Sequence, residues 1–203
     1  MSDPDFEIIL RILAGDTRAY AELVDRHKDR AMTLAMRLLR NREDAEEALQ
    51  DAFVRAFRAL DRFEMKSTFS TWFYRIVYNV CSSALSRRGD QIHVSIDDGS
   101  VEANGEWSVD AQSPGVDLES REFQQLVHAA IGKLPPVYAA ILTLFLVQDL
   151  GYDEIVQVTG LPLGTVKNRL FRARMMLRDL VLRKAKGAVG EVTGSDVKTE
   201  RIE

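Results

Sequence analysis

Hydrophobic residues recur every three to four positions along most of the chain, a spacing typical of amphipathic helices. In the first 89 residues the spacing predicts four helices, and the first covers Phe6 to Leu13 and closes at Gly15. Asp16 is predicted to cap the second helix, and Asn41 to break it. The third helix is predicted to start near Glu43, and Ser70 to cap the fourth.

The C-terminal part shows the same helical spacing. It predicts helices over about 123–134, from Pro136 to about Gln148, over 152–159 and from Thr165 onward. From Gly187 the composition predicts a disordered tail. Since no stretch alternates as a strand would, the predicted fold class is all-α, with two small helical domains.

Charge is distributed unevenly along the 203 residues. Residues 1–89 carry a net +1, residues 90–120 carry eight acidic residues and no Lys or Arg, and residues 121–203 carry a net +3. The acidic segment also contains glycine and proline and lacks a helical period, which is typical of a linker. We therefore predict a domain at 1–89, an acidic flexible linker at 90–120, a second domain at 121–186 and a tail at 187–203.

Several functional classes find no support in the composition. The longest apolar run, 137–147, is shorter than the ~20 residues that cross a bilayer, and the N-terminus lacks the basic start of a signal peptide. The single cysteine, Cys81, is expected in the core, and His27, His93 and His128 are scattered. The sequence thus predicts a cytoplasmic protein with no membrane insertion, metal site, cofactor or catalytic group.

Residues 153–170 have the pattern of a helix-turn-helix. A short helix and a long one flank the glycine-containing turn 160–164, and apolar residues occupy the inner positions. Between residues 165 and 186 one acid stands against eight basic residues: Lys167, Arg169, Arg172, Arg174, Arg178, Arg183, Lys184 and Lys186. A solvated surface helix would also carry such charges, but together with the turn they favour DNA binding.

Aromatic and basic residues are interleaved in the segment 61–88. Rings stack on unpaired bases and arginine adds charge, so the segment is compatible with single-stranded nucleic acid. The alternative interpretation is that the aromatic residues are mostly core and the serines only face solvent.

Four motifs resemble the extracytoplasmic-function (group IV) sigma factors of the sigma-70 family. AELVDRH (21–27), DAEEALQDAF (44–53) and FSTWFYRI (69–76) resemble sigma region 2, and GLPLGTVKNRLFRAR (160–174) resembles sigma region 4. The resemblance implies a factor that binds core RNA polymerase through the β′ clamp coiled coil and the β flap. It implies recognition of duplex −35 and single-stranded −10 promoter DNA, melting of the −10 region, and control by an anti-sigma factor.

The resemblance also implies a role for individual residues. Those implied to bind −10 DNA are Phe63, Ser67, Thr68, Phe69, Trp72, Arg75 and Asn79, with Phe63 and Asn79 lining a pocket for a flipped base. Those implied to bind −35 DNA are Thr165, Lys167, Asn168, Arg169, Phe171 and Arg172. Those implied to bind core polymerase are Asp44, Glu47, Gln50, Asp51, Phe53 and Val54.

This chain departs from the family pattern at two DNA-facing places. Asn168 stands where serine is frequent, and Met65-Lys66 replaces a commoner glycine-acid pair.

Two other classes of protein fit the sequence less well. An autonomous helix-turn-helix regulator would leave the aromatic-basic segment and the acidic linker without a role, and an enzyme would need a catalytic constellation that the sequence does not present.

Overall fold

The computed structural model describes residues 3–89 and 121–192, and every regular element within them is helical. The helices are α1 (Asp5–Leu13), α2 (Tyr20–Leu39), α3 (Arg42–Ala59), α4 (Phe69–Arg87), α5 (Arg121–Ile131), α6 (Pro136–Leu146), α7 (Tyr152–Thr159) and α8 (Leu163–Val192). Short 3₁₀ turns cover Thr17–Ala19 and Leu60–Arg62. The predicted all-α fold class is confirmed.

Two of the predicted helix caps are wrong. Asp16 makes no capping bond and instead forms an ion pair with Arg11, because the chain enters α2 through the 3₁₀ turn. The cap of α4 is Thr68, whose Oγ1 accepts a hydrogen bond from Thr71 N at 3.2 Å, while Ser70 lies in the first turn. Helix α2 ends at Leu39, and Arg40 closes it in the left-handed conformation, one residue before the predicted break at Asn41. Asn41 instead caps α3, with its side chain accepting from Asp44 N.

The first four helices enclose an aromatic and aliphatic core. Leu23, Leu34, Phe69, Phe73 and Tyr74 are almost fully buried in it. Helix α2 packs against both α3 and α4, so the central helix of this domain contributes side chains to the whole core. Burying such side chains stabilises the fold by roughly 1.5–3 kcal/mol each.

Cys81, on α4, is fully buried. It is therefore a small core residue, as the sequence predicted, and this burial raises the pKa of its thiol to about 12.

A buried ionic cluster joins α1 to α2. Asp5 is 3% exposed; its Oδ2 lies 2.6 Å from His27 Nε2, and its Oδ1 accepts from Arg26 at 2.6 Å. Burial on its own would raise the pKa of Asp5, but the hydrogen bonds and charges of His27 and Arg26 hold it below the ordinary value. The His27 ring in turn lies 5.1 Å from the Phe69 ring.

The C-terminal helices enclose an aliphatic core. Buried residues of α6, among them Ile141 and Leu142, pack with Ile155 of α7 and with Val166 and Leu170 of α8. Pro136 lies in the first turn of α6, where its missing N–H costs no helical hydrogen bond. Within the described parts of the chain, no helix is both long enough and apolar enough to span a bilayer.

Helix α8 extends beyond the predicted end of the second domain. It begins at Leu163 and ends at Val192, so the disordered tail predicted from Gly187 is wrong for residues 187–192. Extending an existing helix costs much less than nucleating one, which allows α8 to continue past Gly187 and Gly190. The predicted linker 90–120 and the rest of the predicted tail, 193–203, lie outside the described residues.

The two groups of helices contact each other through α4 with α7 and α2 with α6. Gln148, which is 5% exposed, lies between them: its Oε1 accepts from Tyr74 Oη at 2.6 Å and its Nε2 donates to Arg30 O at 2.9 Å. Thr71 Oγ1 donates to Glu154 Oε1 at 2.8 Å. The side chains of Arg37 and Arg40 donate to carbonyl groups at 128 and 134.

Candidate nucleic-acid and polymerase interfaces

The aromatic residues of the segment 61–69 are mostly core. Phe63 is 7% exposed, and its ring centroid lies 6.2 Å from those of Phe6 and Phe69 and 5.0 Å from that of Trp72. Phe69 is fully buried, while Trp72 is half-buried. The expectation that Phe63 is presented to a base is therefore not met in this conformation, because three rings enclose it.

Polar side chains of α4 form an exposed strip. Trp72, Arg75 and Asn79 are spaced by three and four residues and so lie on one face of the helix; we call these three residues the α4 strip. Arg75 and Asn79 are exposed, and Trp72 is half-buried. The strip thus offers a guanidinium, an amide with a donor and an acceptor, and a half-buried indole beside the buried rings.

The loop 61–68, which we call the α4 loop, holds a strained backbone position before α4. Met65 has φ of 54°, in the left-handed region that favours glycine. Glycine, the commoner residue here in the family that this chain resembles, adopts this conformation without strain. Glu64 and Lys66 pair with each other beside it, and Ser67 and Thr68 lead into the cap of α4.

Helices α7 and α8 form the predicted helix-turn-helix. Gly160 has φ of 71° and ends α7 in the left-handed conformation, which reverses the chain toward Leu163. The inner residues Ile155, Val158 and Val166 are at most 1% exposed. Apolar contact on this side therefore fixes the angle between the two helices.

The other side of α8 carries four of the predicted −35 residues. We call Lys167, Asn168, Phe171 and Arg172 the α8 outer face; Lys167 and Phe171 are exposed, and Asn168 and Arg172 are half-buried. Three residues after Phe171, the guanidinium of Arg174 lies 4.6 Å from the centre of the Phe145 ring and makes a cation–π contact with it. The α8 outer face thus offers two cationic groups and an amide, the groups that bind base edges in a major groove.

Thr165 and Arg169, predicted to contact the DNA backbone, are less accessible. Thr165 is half-buried, and Arg169 is 9% exposed. Burial raises the pKa of the Tyr78 phenol, and the positive charge of Arg169 partly opposes that rise, so Arg169 lies close to α4. The Arg169 side chain is thus largely covered in this arrangement.

The predicted polymerase-binding residues divide into surface and core. Asp44, Glu47 and Asp51 line a groove between α3 and α4, where Asp44 pairs with Arg88. Gln50 and Val54 are exposed on the same helix.

Phe53 belongs to the core of the first four helices. Its ring stacks on that of Phe73 at 4.5 Å, and its carbonyl accepts from Tyr20 Oη at 2.7 Å. Phe53 therefore supports this surface from behind, since its half-buried side chain packs inward.

Sequence reasoning missed the polar contacts between the two groups of helices. Thr71, Gln148 and Glu154 drew no attention because each is an ordinary residue for its local element. The only signal at Gln148 is an amide directly after the apolar run 137–147, and a pattern within one element does not identify its partner in another.

Comparison with protein families agrees with this geometry. The sigma-70 region 2 model matches residues 23–91, and the sigma-70 region 4 model matches residues 124–177. A protein with both regions is a transcription initiation factor of the sigma-70 class rather than an autonomous helix-turn-helix regulator.

Individual relatives show to which group of sigma-70 factors the chain belongs. RNA polymerase sigma-H factor of Pseudomonas aeruginosa is 33% identical over 85% of this chain and 91% of its own length. The ECF RNA polymerase sigma factor SigW of Bacillus subtilis is 32% identical over 84% and 92%, and the ECF sigma-E factor of Escherichia coli K12 is 33% identical over 84% and 90%. The chain belongs to the extracytoplasmic-function sigma factors.

Solved structures show the same fold. CnrH in complex with the cytosolic domain of CnrY aligns with a TM-score of 0.58 and 23% identity, covering 87% of this chain and 96% of that one. RpoE in complex with the anti-sigma factor NepR from Bartonella quintana aligns with a TM-score of 0.57 and 22% identity, covering 80% and 96%. Together with the helices described above, these likenesses support an all-helical sigma-factor fold.

Proposed function

We propose that this sigma factor directs core RNA polymerase to promoters through two separate DNA contacts. The α8 outer face reads the −35 element in the major groove, and the α4 strip with the α4 loop binds the single-stranded −10 element. The observation that carries the proposal is that both surfaces expose polar and cationic groups over firmly packed cores, within the two matched regions. Domain limits of 1–89 and 121–186 belong to the same proposal.

Melting of the −10 region follows from the chemistry of the α4 strip. A base leaving the stack costs a few kcal/mol, so a group must hold it once it is out. Asn79 offers hydrogen bonds to a base edge, Trp72 an aromatic edge and Arg75 a charge for the backbone. Phe63 lies behind the α4 strip and is enclosed by three other rings. A flipped base can stack on Phe63 only after those rings rearrange.

Contact of Arg169 with the DNA backbone requires the two groups of helices to separate. Arg169 is buried near Tyr78, and no duplex reaches a side chain that is 9% exposed. Binding to polymerase and promoter therefore has to replace the contacts that Gln148 and Glu154 make with the first domain.

The polymerase contact is assigned to the groove and exposed residues of α3. Asp44, Glu47, Gln50, Asp51 and Val54 meet the β′ clamp coiled coil, and the second domain meets the β flap. The linker, with its charge of −8, follows the basic channels of polymerase that normally hold nucleic acid. Neutralising the linker acids should weaken assembly or initiation and leave −35 binding by the full chain intact.

Control by an anti-sigma factor completes the proposal. Two proteins of the same fold, CnrH and RpoE, were solved with CnrY and the anti-sigma factor NepR, respectively. An anti-sigma factor that keeps the two domains together would hold Arg169 covered.

Addition of the purified chain to core polymerase tests the function. We expect specific initiation, with transcript 5′ ends that define −10 and −35 elements, and permanganate-reactive thymines only at −10. Core polymerase that remains unable to initiate specifically on genomic DNA of the source organism would refute the proposal.

A further inference from the structure

A carboxylate near the start of the chain joins the N-termini of two helices. Asp3 Oδ1 accepts a hydrogen bond from Asp5 N at 3.0 Å, at the start of α1, and Asp3 Oδ2 accepts from Phe69 N at 2.7 Å, at the start of α4. The first N–H groups of a helix have no partner within it, and the helix dipole favours negative charge there. One side chain therefore satisfies two helices that start 64 residues apart in the sequence.

The first turn of α1 also contacts the aromatic residues around the α4 loop. The Phe6 ring meets the Phe63 ring edge-on. Asp5 holds His27, whose ring packs on those of Phe69 and Phe73. This segment therefore contacts the rings on both sides of the α4 loop. Phe6 meets Phe63 directly, and Asp5 reaches Phe69 through His27.

This segment lies outside the residues matched by the sigma-70 region 2 model, which begin at 23. None of the residues implied to bind DNA or polymerase lies in it. Asp3 of this segment nevertheless binds Phe69, the first residue of α4. Phe69 lies four positions after Met65, which has the left-handed backbone, and three positions before Trp72 of the α4 strip.

We infer that Asp3 is a positioning residue for promoter opening: its carboxylate fixes the start of α4, and thereby the α4 loop and the α4 strip, in the geometry that captures −10 bases. The inference rests on the proposed function of the α4 strip. Asp3 acts through backbone N–H groups and requires no contact with DNA. Without the Asp3 carboxylate, Phe69 N loses its acceptor and the α4 loop becomes more mobile. The loop must then be ordered at the moment when it captures a base, and this ordering slows promoter opening.

The test compares Asp3→Ala and Asp3→Asn with Glu7→Gln in the full-length holoenzyme. Asp3→Asn keeps one acceptor and loses the charge, so its effect should be intermediate. Glu7→Gln removes one negative charge at an exposed position in the first turn of α1, four residues after Asp3. We expect Asp3→Ala to slow the appearance of permanganate-reactive −10 thymines about three- to tenfold, with −35 binding and polymerase binding unchanged, and Glu7→Gln to match the parent protein.

A template with a pre-melted −10 bubble separates positioning from general damage. We expect the bubble to restore most of the Asp3→Ala rate, because the variant still folds and binds. An unchanged opening rate in Asp3→Ala overturns the inference. So does a loss of equal size in −35 binding, polymerase binding and bubble transcription, accompanied by a lower unfolding midpoint.

Amide hydrogen exchange of the free chain provides a readout that needs no promoter. Faster exchange confined to residues 61–72 in Asp3→Ala, and absent in Glu7→Gln, supports the positioning role; unchanged exchange there overturns it. If the parent holoenzyme opens no promoter at all, the proposed function fails, and this exchange result still decides whether Asp3 holds the start of α4.

Discussion

The α4 strip and the α8 outer face differ in what lies behind them. Behind the α4 strip are stacked rings, a buried carboxylate–histidine pair and a loop with a left-handed residue. Behind the α8 outer face are aliphatic residues such as Val158 and Val166. A change on the α8 outer face should therefore alter recognition alone, whereas a change among the rings behind the α4 strip alters recognition and folding together.

The largest expected effect is on stability, from Phe63→Ala. Removing a ring that is 7% exposed and packed on three others leaves a cavity, and we expect a loss of about 3–5 kcal/mol in the free energy of unfolding. Phe171→Ala, on the α8 outer face, should cost about 1 kcal/mol or less because that ring is 37% exposed. Urea unfolding measures both, and equal losses would show that the two faces do not differ as described.

The next effect is on base recognition, from Arg172→Ala. We expect it to cost about 1–3 kcal/mol on the preferred −35 duplex and to relax the preference at one base pair. Arg169→Ala should instead weaken binding to all sequences alike and lower the salt slope by about one unit. Binding titrations of holoenzyme on matched and scrambled −35 duplexes separate the two, and an equal loss on both duplexes for Arg172→Ala would contradict its assignment.

A smaller effect is expected for Asn79→Ala, which tests the α4 strip without touching the rings. The side chain is exposed, so unfolding should change by no more than about 0.5 kcal/mol. Loss of its hydrogen bonds to a flipped base should cost about 1 kcal/mol in open-complex formation. Permanganate footprinting checks this, and a pre-melted bubble should restore much of the rate if melting is its main role.

The smallest effect concerns acid pH. The pKa of Asp5 is lowered in the folded protein, so Asp5 contributes stability above its unfolded value of about 4, and that contribution is lost as pH falls through the lower folded value. Stability should therefore decline more steeply below pH 4 than in Asp5→Asn, whose curve lacks this contribution. Unfolding midpoints between pH 2 and 6 would show it, and parallel curves would contradict it.

Most helices were predictable because their signals are local. Asn41 and the Gly160 turn act within a few residues, and the period of apolar positions marks each buried face. Where two candidates stand two positions apart, as Thr68 and Ser70 do, the local pattern does not decide which one caps. The extent of α8 past Gly187 was missed because glycine is an uncertain stop signal.

The site was predictable only in part, since its accessibility depends on distant residues. Asn79 and Lys167 are exposed, whereas Phe63 is covered by rings from α1 and α4, and Arg169 is only 9% exposed. The carboxylate of Asp3 reaches α4 across more than sixty positions, and Gln148 reaches Arg30 across more than a hundred. No period or spacing encodes such contacts.

The burial of Cys81 has a consequence for labelling chemistry. Burial raises the pKa of this thiol far above neutral pH, so very little of it is ionised, and alkylating reagents and mild oxidants act on the ionised form. Since this is the only cysteine of the chain, the folded protein should behave toward maleimides as though it had none. Cysteines introduced at exposed positions of the two domains would carry dyes selectively, so the distance between the domains becomes measurable with the native residue left in place.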